Sequence, residues 1–380
     1  VALNDSYAFI TAENDTNETG GTGQVWSASI TRSNEAARPL PRPVIPRNTI
    51  LNDWGFALDY SDGVLGVGGP SSTVGGVAHG AAIGYPCVND VPQVSTLLLP
   101  PAPWNVDLAN FGTSITHSSG QLMIGAPNLA GTAQGSVISF YEDKIDGSWQ
   151  FNQVILDADA ALLNLFGWSV AVHGNLMVVG APYGGLSVSG HATLYRFSPT
   201  AQEWILETVL NPEIVAVGDW SGRSVDVGEH GVMVASPFLD VGGFNATEVG
   251  GVFFYQDTGD EWQIDIRESL PIQLADTKIE KPDSLEPAPP SFGYAIAGTD
   301  QFMIVGDDRG DGPGEVHVYY QDKLSGWTPL ESHGVMNTSL DDGSRFGVSI
   351  AMDGDVTVVG APQLNNAGGG VISVFHEQGF

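Results

Sequence analysis

Phe166-Gly-Trp-Ser-Val-Ala-Val-His-Gly-Asn-Leu-Met-Val-Val-Gly-Ala-Pro182 is the stretch on which the fold turns. Two short apolar runs, Trp168-Ser-Val-Ala-Val172 and Leu176-Met-Val-Val179, flank Gly174-Asn175, residues that tolerate the positive φ of a tight turn. The stretch predicts a β-hairpin. In its second strand Leu176 and Val178 point one way while Met177 and Val179 point the other, so that strand must be covered on both faces.

The same frame recurs along the chain. An aromatic residue precedes glycine in Trp54-Gly55, Phe111-Gly112, Phe166-Gly167, Phe292-Gly293 and Phe346-Gly347, with Ser221-Gly222 as the deviant member. Thirteen residues beyond each glycine stand Gly68-Gly69-Pro70, Gly125-Ala126-Pro127, Gly180-Ala181-Pro182, Ala235-Ser236-Pro237, Gly306-Asp307-Asp308 and Gly360-Ala361-Pro362. An interval that admits no insertion is structurally tight. Its turns carry Asp62-Gly63, Ser119-Gly120, Gly174-Asn175 and Gly354-Asp355.

Two more strands complete most units. The third is seen in Gly135-Ser-Val-Ile-Ser-Phe-Tyr141, Gly251-Val-Phe-Phe-Tyr255 and Gly370-Val-Ile-Ser-Val-Phe375. The fourth opens with tryptophan, as in Trp262-Gln-Ile-Asp-Ile-Arg267, whose alternation belongs to a half-exposed outer strand. Trp149, Trp204 and Trp327 hold the same place in their units. Such a four-stranded meander cannot hide both apolar faces alone, and stacking units face to face solves the problem as a β-propeller does.

The second-motif markers Gly68, Gly125, Gly180, Ala235, Gly306 and Gly360 are spaced by 57, 55, 55, 71 and 54 residues. A further 57 residues back from Gly68 lies Thr11, where Tyr7-Ala-Phe-Ile-Thr-Ala12 and Val1-Ala-Leu3 match a second and a first strand. The expectation is therefore an all-β, seven-bladed β-propeller of four-stranded antiparallel blades, one domain over residues 1–380. The Pro-rich residues 38–46 and residues 280–290 read as connections between blades. Both chain ends fall inside repeats, which is expected of part of a longer polypeptide.

The aromatic-glycine followed by Gly-Ala-Pro at a fixed offset resembles the FG-GAP repeat family, the blades of the integrin α-subunit propeller and of many secreted and surface proteins. Phe111 to Pro127, Phe166 to Pro182 and Phe346 to Pro362 carry the likeness. The resemblance implies a propeller with an extracellular interaction role. Many members hold Ca²⁺ in an Asp-x-Asp-x-Asp-Gly loop between the first two strands, which supplies the several oxygens that ion needs. Here that turn is too short: Asp353-Gly354-Asp355 offers two carboxylates and Asp62 stands alone. No calcium is expected in the inner hairpins.

A formal net charge of −31 with only 13 Lys plus Arg argues against nucleic acid and anionic membrane surfaces, which need a basic stripe. The sequence has no apolar run long enough to span a bilayer. The single Cys87 excludes an internal disulfide framework. Sequons at Asn4, Asn14, Asn17, Asn245 and Asn337, four of them in expected loops, favour a secreted glycoprotein.

The long connections, residues 70–80, 100–110, 237–250 and 274–291, share one face of the expected propeller and form its natural binding surface. Trp104 lies outside the strand pattern and is the ligand-binding candidate there; Tyr183 and Trp220 are weaker ones, and blade packing is the better reading of Trp220. Arg309-Gly310-Asp311 sits in a Gly-rich turn after the sixth marker, where Arg309 and Asp311 would be adhesive residues. Asp307, Asp308 and Asp311, with Glu315, are a weak Ca²⁺ candidate, the one cofactor suggested. No nucleophile elbow or His-x-x-x-His pair occurs. The expected role is non-catalytic binding of an extracellular protein or glycan at the cell surface, or assembly with copies of itself or other subunits into a filament or coat. A glycan hydrolase or lyase is the minority reading.

Overall fold

In a computed structural model the chain is described except for residues 5, 17–20, 32–35, 42, 129–134, 158–163, 184–188, 213–214, 230, 240–249, 258, 260–261, 265–290, 300, 309–312, 323–325, 330–339, 341–342, 355, 365–368 and 377–380. Among the described residues every regular element is a strand. Two compact units divide the chain: Val1–Gly185 with Thr193–Glu207, and Leu186–Ala192 with Thr208–Phe380.

The strands form β-propeller blades. Sheet 1 joins Ala2–Leu3, Tyr7–Thr16, Thr22–Ser29 and Arg38–Pro39, and sheet 2 joins Ala57–Ser61, Val64–Gly69, Ala81–Val88 and Val91–Pro92. Sheet 3 joins Ile115–Ser118, Gln121–Ala126, Ser136–Glu142 and Trp149–Leu156; sheet 4 joins Ser169–His173, Leu176–Ala181, His191–Ser198 and Glu203–Leu210. Sheet 5 joins Ser224–Gly228, Gly231–Ser236, Gly251–Asp257 and Trp262–Ile264, and sheet 6 joins Phe292–Gly298, Phe302–Asp307, Glu315–Asp322 and Gly326–Pro329. Those six are four-stranded and antiparallel, in the order expected. The next sheet, Ser349–Asp353, Val356–Leu364 and Gly369–His376, has three strands.

The hairpin turns have the geometry that their residues require. Asp62 and Gly63 lie at φ 48° and 76°, Ser119 and Gly120 at 53° and 73°. Second strands are buried on both faces, Val64–Gly69 throughout, whereas the fourth strand Trp149–Leu156 is largely open. One expectation is corrected: within the Pro-rich residues 38–46, Arg38–Pro39 is the fourth strand of sheet 1, pairing with Ser27 and Trp26. Proline is tolerated there because the strand is at an edge and needs no further N–H.

The core lies in layers between successive sheets. Within the first unit, Phe9, Val25, Leu65, Val67, Ile83 and Tyr85 fill the layer between sheets 1 and 2, and Met123, Val137, Met177, Val179, Tyr195 and Trp204 the layer between sheets 3 and 4. Within the second, Phe254, Met303, Val305 and Trp327 do so between sheets 5 and 6.

The thirteen-residue interval closes on itself. The Gly112 N–H donates to the Gly125 carbonyl (2.9 Å), Gly167 to Gly180 (3.1 Å) and Gly347 to Gly360 (3.1 Å). The same glycines meet the preceding sheet. A Cβ on Gly68 would lie 2.1 Å from the Gly112 oxygen, and one on Gly306 would lie 2.0 Å from that of Gly347. The aromatic before each glycine is buried, Phe111, Phe166 and Phe346 at 0% exposure. It meets an aromatic of the third strand edge-on, as Phe111 does Phe140 and Phe166 does Tyr195.

Candidate functional site

In the first unit the connections 70–80 and 100–110 are zipped together. The Leu108 N–H donates to the Ala78 carbonyl (2.9 Å), the Phe111 N–H to that of His79 (3.0 Å), and the Ala78 N–H to the Asp107 carboxylate (2.8 Å). Leu108 is held at φ 63°, the left-handed region that a branched side chain rarely adopts, and is 68% exposed. Two elements that the sequence leaves as separate loops thus make one fixed surface, and an apolar side chain stands on it under backbone strain.

In the second unit three ligating side chains converge on one face of sheet 6. Asp307 ends the second strand directly opposite Glu315, which opens the third, and His317 follows two residues on, so alternation places all three on the same face. One ligand atom from each lies within 4.8 Å of the others. Asp307 and Glu315 are 2% and 5% exposed. His317 Nε2 is 3.4 Å from Glu315 Oε1, and the His317 side chain is 12% exposed. That nitrogen is buried without a hydrogen-bond partner. Phe292 meets the imidazole edge-on (5.1 Å, 70°), and the Ser291 N–H donates to Asp307 Oδ1 (3.0 Å).

Asp308, grouped with Asp307 by sequence, belongs to a different contact. Arg345 grips it through Nη2 (2.6 Å) and Nε (2.9 Å), and Asp308 is 3% exposed. Arg309 and Asp311 lie outside the described residues. Among the described residues, the side chains of metal-ligating type that the structure brings together are Asp307, Glu315 and His317. His317 is the member that sequence reasoning missed.

Trp104 is half-buried and packs against the layer that contains Leu98, Ala109 and Phe111; Leu108, not singled out from sequence, is the exposed apolar residue of that loop. Trp220 meets Phe238 edge-on (4.8 Å), in keeping with blade packing. Tyr183 is half-buried, its N–H on the Asn164 carbonyl (3.2 Å). Asn4 departs from the expectation of an outward sequon: it is 2% exposed, and its Oδ1 accepts the Ser6 and Tyr7 N–H groups (2.9 and 2.7 Å) to shape the first hairpin. Asn14 lies in the strand Tyr7–Thr16, while Asn17, Asn245 and Asn337 lie outside the described residues.

Carboxylates also latch neighbouring sheets. The Asp59 carboxylate accepts the His117 N–H (2.8 Å) and that of Asp62 the Ser119 N–H (2.8 Å), while in the second unit Asp226 accepts the Gly298 N–H (2.8 Å). Burial pushes the Asp59 carboxyl up to about 6. The Asp62 carboxylate, the one acid of its turn, is thus engaged across the sheets.

The tryptophans that open fourth strands reach back to the preceding sheet. Trp149 Nε1 donates to the Gly84 carbonyl (3.2 Å), Trp204 Nε1 to Gln121 (3.0 Å), and Trp327 stacks on Phe254 (5.6 Å). Gly84 is required for this, since a Cβ there would lie 2.6 Å from the Trp149 indole nitrogen.

Two solved structures share the fold at very low identity. One, from Bacteroides uniformis, described as a "putative 6-phosphogluconolactonase", is 10% identical, with a TM-score of 0.52 over 98% of this chain and 96% of its own. A second, of the same description from Bacteroides fragilis, is 11% identical, with a TM-score of 0.50 over 98% and 95%. No curated protein matches the chain in sequence. Residues 149–195 match the FG-GAP repeat. That segment holds Phe166-Gly167 and Gly180-Ala181-Pro182, so the chain is similar to the FG-GAP repeat over one of its hairpins.

Proposed function

We propose that this chain is a non-catalytic, extracellular FG-GAP propeller of seven blades, the three-stranded sheet counting as the seventh, and that it acts by binding a protein partner through its long connections. The observation that carries this reading is Leu108: a large apolar side chain, 68% exposed, on a strained backbone fixed by hydrogen bonds between two long loops. Backbone strain costs free energy and is held at functional sites. A fixed surface also loses little entropy when a partner docks. The net charge of −31 favours a partner with a basic face.

The test is binding of the purified chain to cell-surface and matrix proteins by a label-free assay, comparing the parent with Leu108→Asn. Asparagine tolerates the left-handed backbone, so the fold is kept while the apolar side chain is lost. Binding that falls at least tenfold at unchanged Tm supports the reading. Equal binding by the two proteins, or turnover of polysaccharide by the parent, overturns it.

A further inference from the structure

We propose that Asp307, Glu315 and His317 bind a first-row divalent transition-metal ion such as zinc, with water completing the coordination. The repeat supplies the argument. At the register-equivalent positions sheet 2 has Gly69, Ala81 and Ile83, sheet 3 has Ala126, Ser136 and Ile138, and sheet 5 has Ser236, Gly251 and Phe253. Sheet 1 has Ala12, Gln24 and Trp26 there and the three-stranded sheet Ala361, Val371 and Ser373, and none of these five sets two carboxylates beside an imidazole. In sheet 6 all three are replaced together by side chains that ligate metals.

The replacement sets two carboxylates, at 2% and 5% exposure, side by side in a buried place beside an imidazole. A divalent ion there would be held by opposite charge from both. An imidazole in the set disfavours Ca²⁺ and Mg²⁺, which take oxygen ligands, and suits zinc and its neighbours. Bonds of about 2.0–2.1 Å at tetrahedral angles put ligand atoms roughly 3.4 Å apart; His317 Nε2 and Glu315 Oε1 are already 3.4 Å apart, and the three ligand atoms lie within 4.8 Å, so an ion would draw them together. Nε2 is buried and without a hydrogen-bond partner, and one imidazole nitrogen is within 4.8 Å of an oxygen of each carboxylate. This place is distinct from the hairpin turn between first and second strands, since it joins the end of a second strand to the start of a third.

The competing account is a direct His317–Glu315 contact with no metal. Titrating the chelator-stripped full chain with Zn²⁺, Co²⁺ and Ca²⁺ separates the two. The expected results are one Zn²⁺ per chain, a rise in Tm with Zn²⁺, and a visible Co²⁺ absorption band. His317→Gln should weaken Zn²⁺ binding at least tenfold. The triple variant Asp307→Ala, Glu315→Ser, His317→Ile restores the sheet 3 pattern, and should fold yet show neither the stoichiometric Zn²⁺ nor the Co²⁺ band. No stoichiometric binding by the parent, binding retained in His317→Gln and the triple variant, or an equal response to Ca²⁺ overturns the proposal.

Discussion

Gly125 faces Gly167 so closely that a Cβ on Gly125 would lie 2.0 Å from the Gly167 carbonyl oxygen. The nearest atom is main chain and cannot move aside, and the Ser114 hydroxyl that donates to the same carbonyl (2.8 Å) crowds the added atom as well. Gly125→Ala should therefore cost about 3 kcal/mol or more, as overpacking of a tight junction does. Gly63→Ala is the control: Gly63 is at φ 76° with nothing within 4 Å of the added atom, so only the strain of about 1–2 kcal/mol applies. Urea unfolding of the two variants measures the difference, and equal losses would refute the close approach.

Gln153 clamps the next sheet by its amide, donating from Nε2 to the Trp204 carbonyl (3.2 Å) and accepting the Trp204 N–H on Oε1 (2.9 Å). Gln153→Glu keeps the acceptor, loses the donor and sets a carboxylate beside a carbonyl. A loss of about 1–3 kcal/mol is expected, together with a red shift of tryptophan emission as Trp204 loosens. A variant as stable as the parent would show that the clamp contributes nothing.

Arg345 and Asp308 form a partly buried pair, so removing the cation alone strands a carboxylate that is 3% exposed. Arg345→Ala should destabilise by about 3–5 kcal/mol. The double variant Arg345→Met, Asp308→Asn should recover most of that, because no uncompensated charge remains. Thermal unfolding of the three proteins decides the point; a double variant no better than the single would mean that the pair acts by geometry and not by charge.

Asp59 carries a pH dependence whose sign is fixed by its raised carboxyl. The folded state holds the proton up to about pH 6, against 3.8 for an ordinary aspartate. The stability tied to this group is therefore fully present below pH 3.8 and lost as pH rises through 6. Asp59→Asn, which can still accept the His117 N–H, should be more stable than the parent above pH 6, with the gap closing toward pH 4. Paired Tm measurements across that range test it, and a gap that widens at low pH would reverse the sign.

Asn4 should stay unglycosylated in a secretory host, because its side chain is 2% exposed and is engaged with the Ser6 and Tyr7 N–H groups. Glycopeptide mass mapping reads occupancy directly. An occupied Asn4 would mean that the first hairpin forms only after modification.

What was legible in the sequence is what repeats. The thirteen-residue interval is visible because a hairpin with a two-residue turn closed by one backbone bond has a single length, and Ala2–Leu3 with Tyr7–Thr16 could be recovered from the same spacing. The tryptophans were placed on the right strands, but an alternation along one strand does not say what lies across the gap, so the grip of Trp149 on Gly84 was hidden. His317 was missed for a related reason. Its link to Asp307 depends on the register of two strands, and the readable signal was Glu315-x-His317 opposite an acid, where sheets 2, 3 and 5 have small and apolar residues. Arg38–Pro39 was concealed by its prolines, which ordinarily argue against a strand.

The glycine junctions have a consequence for how such a chain can change over time. Where both members are glycine, as in Gly112 against Gly68 or Gly347 against Gly306, the junction is written in main-chain atoms, and Ala235 against Gly293 admits no more than a methyl group. A unit that keeps its glycines can exchange nearly every other residue and still be accepted by its neighbour. A single unit is then free to carry the carboxylates and imidazole of sheet 6 where sheet 3 has Ala126, Ser136 and Ile138.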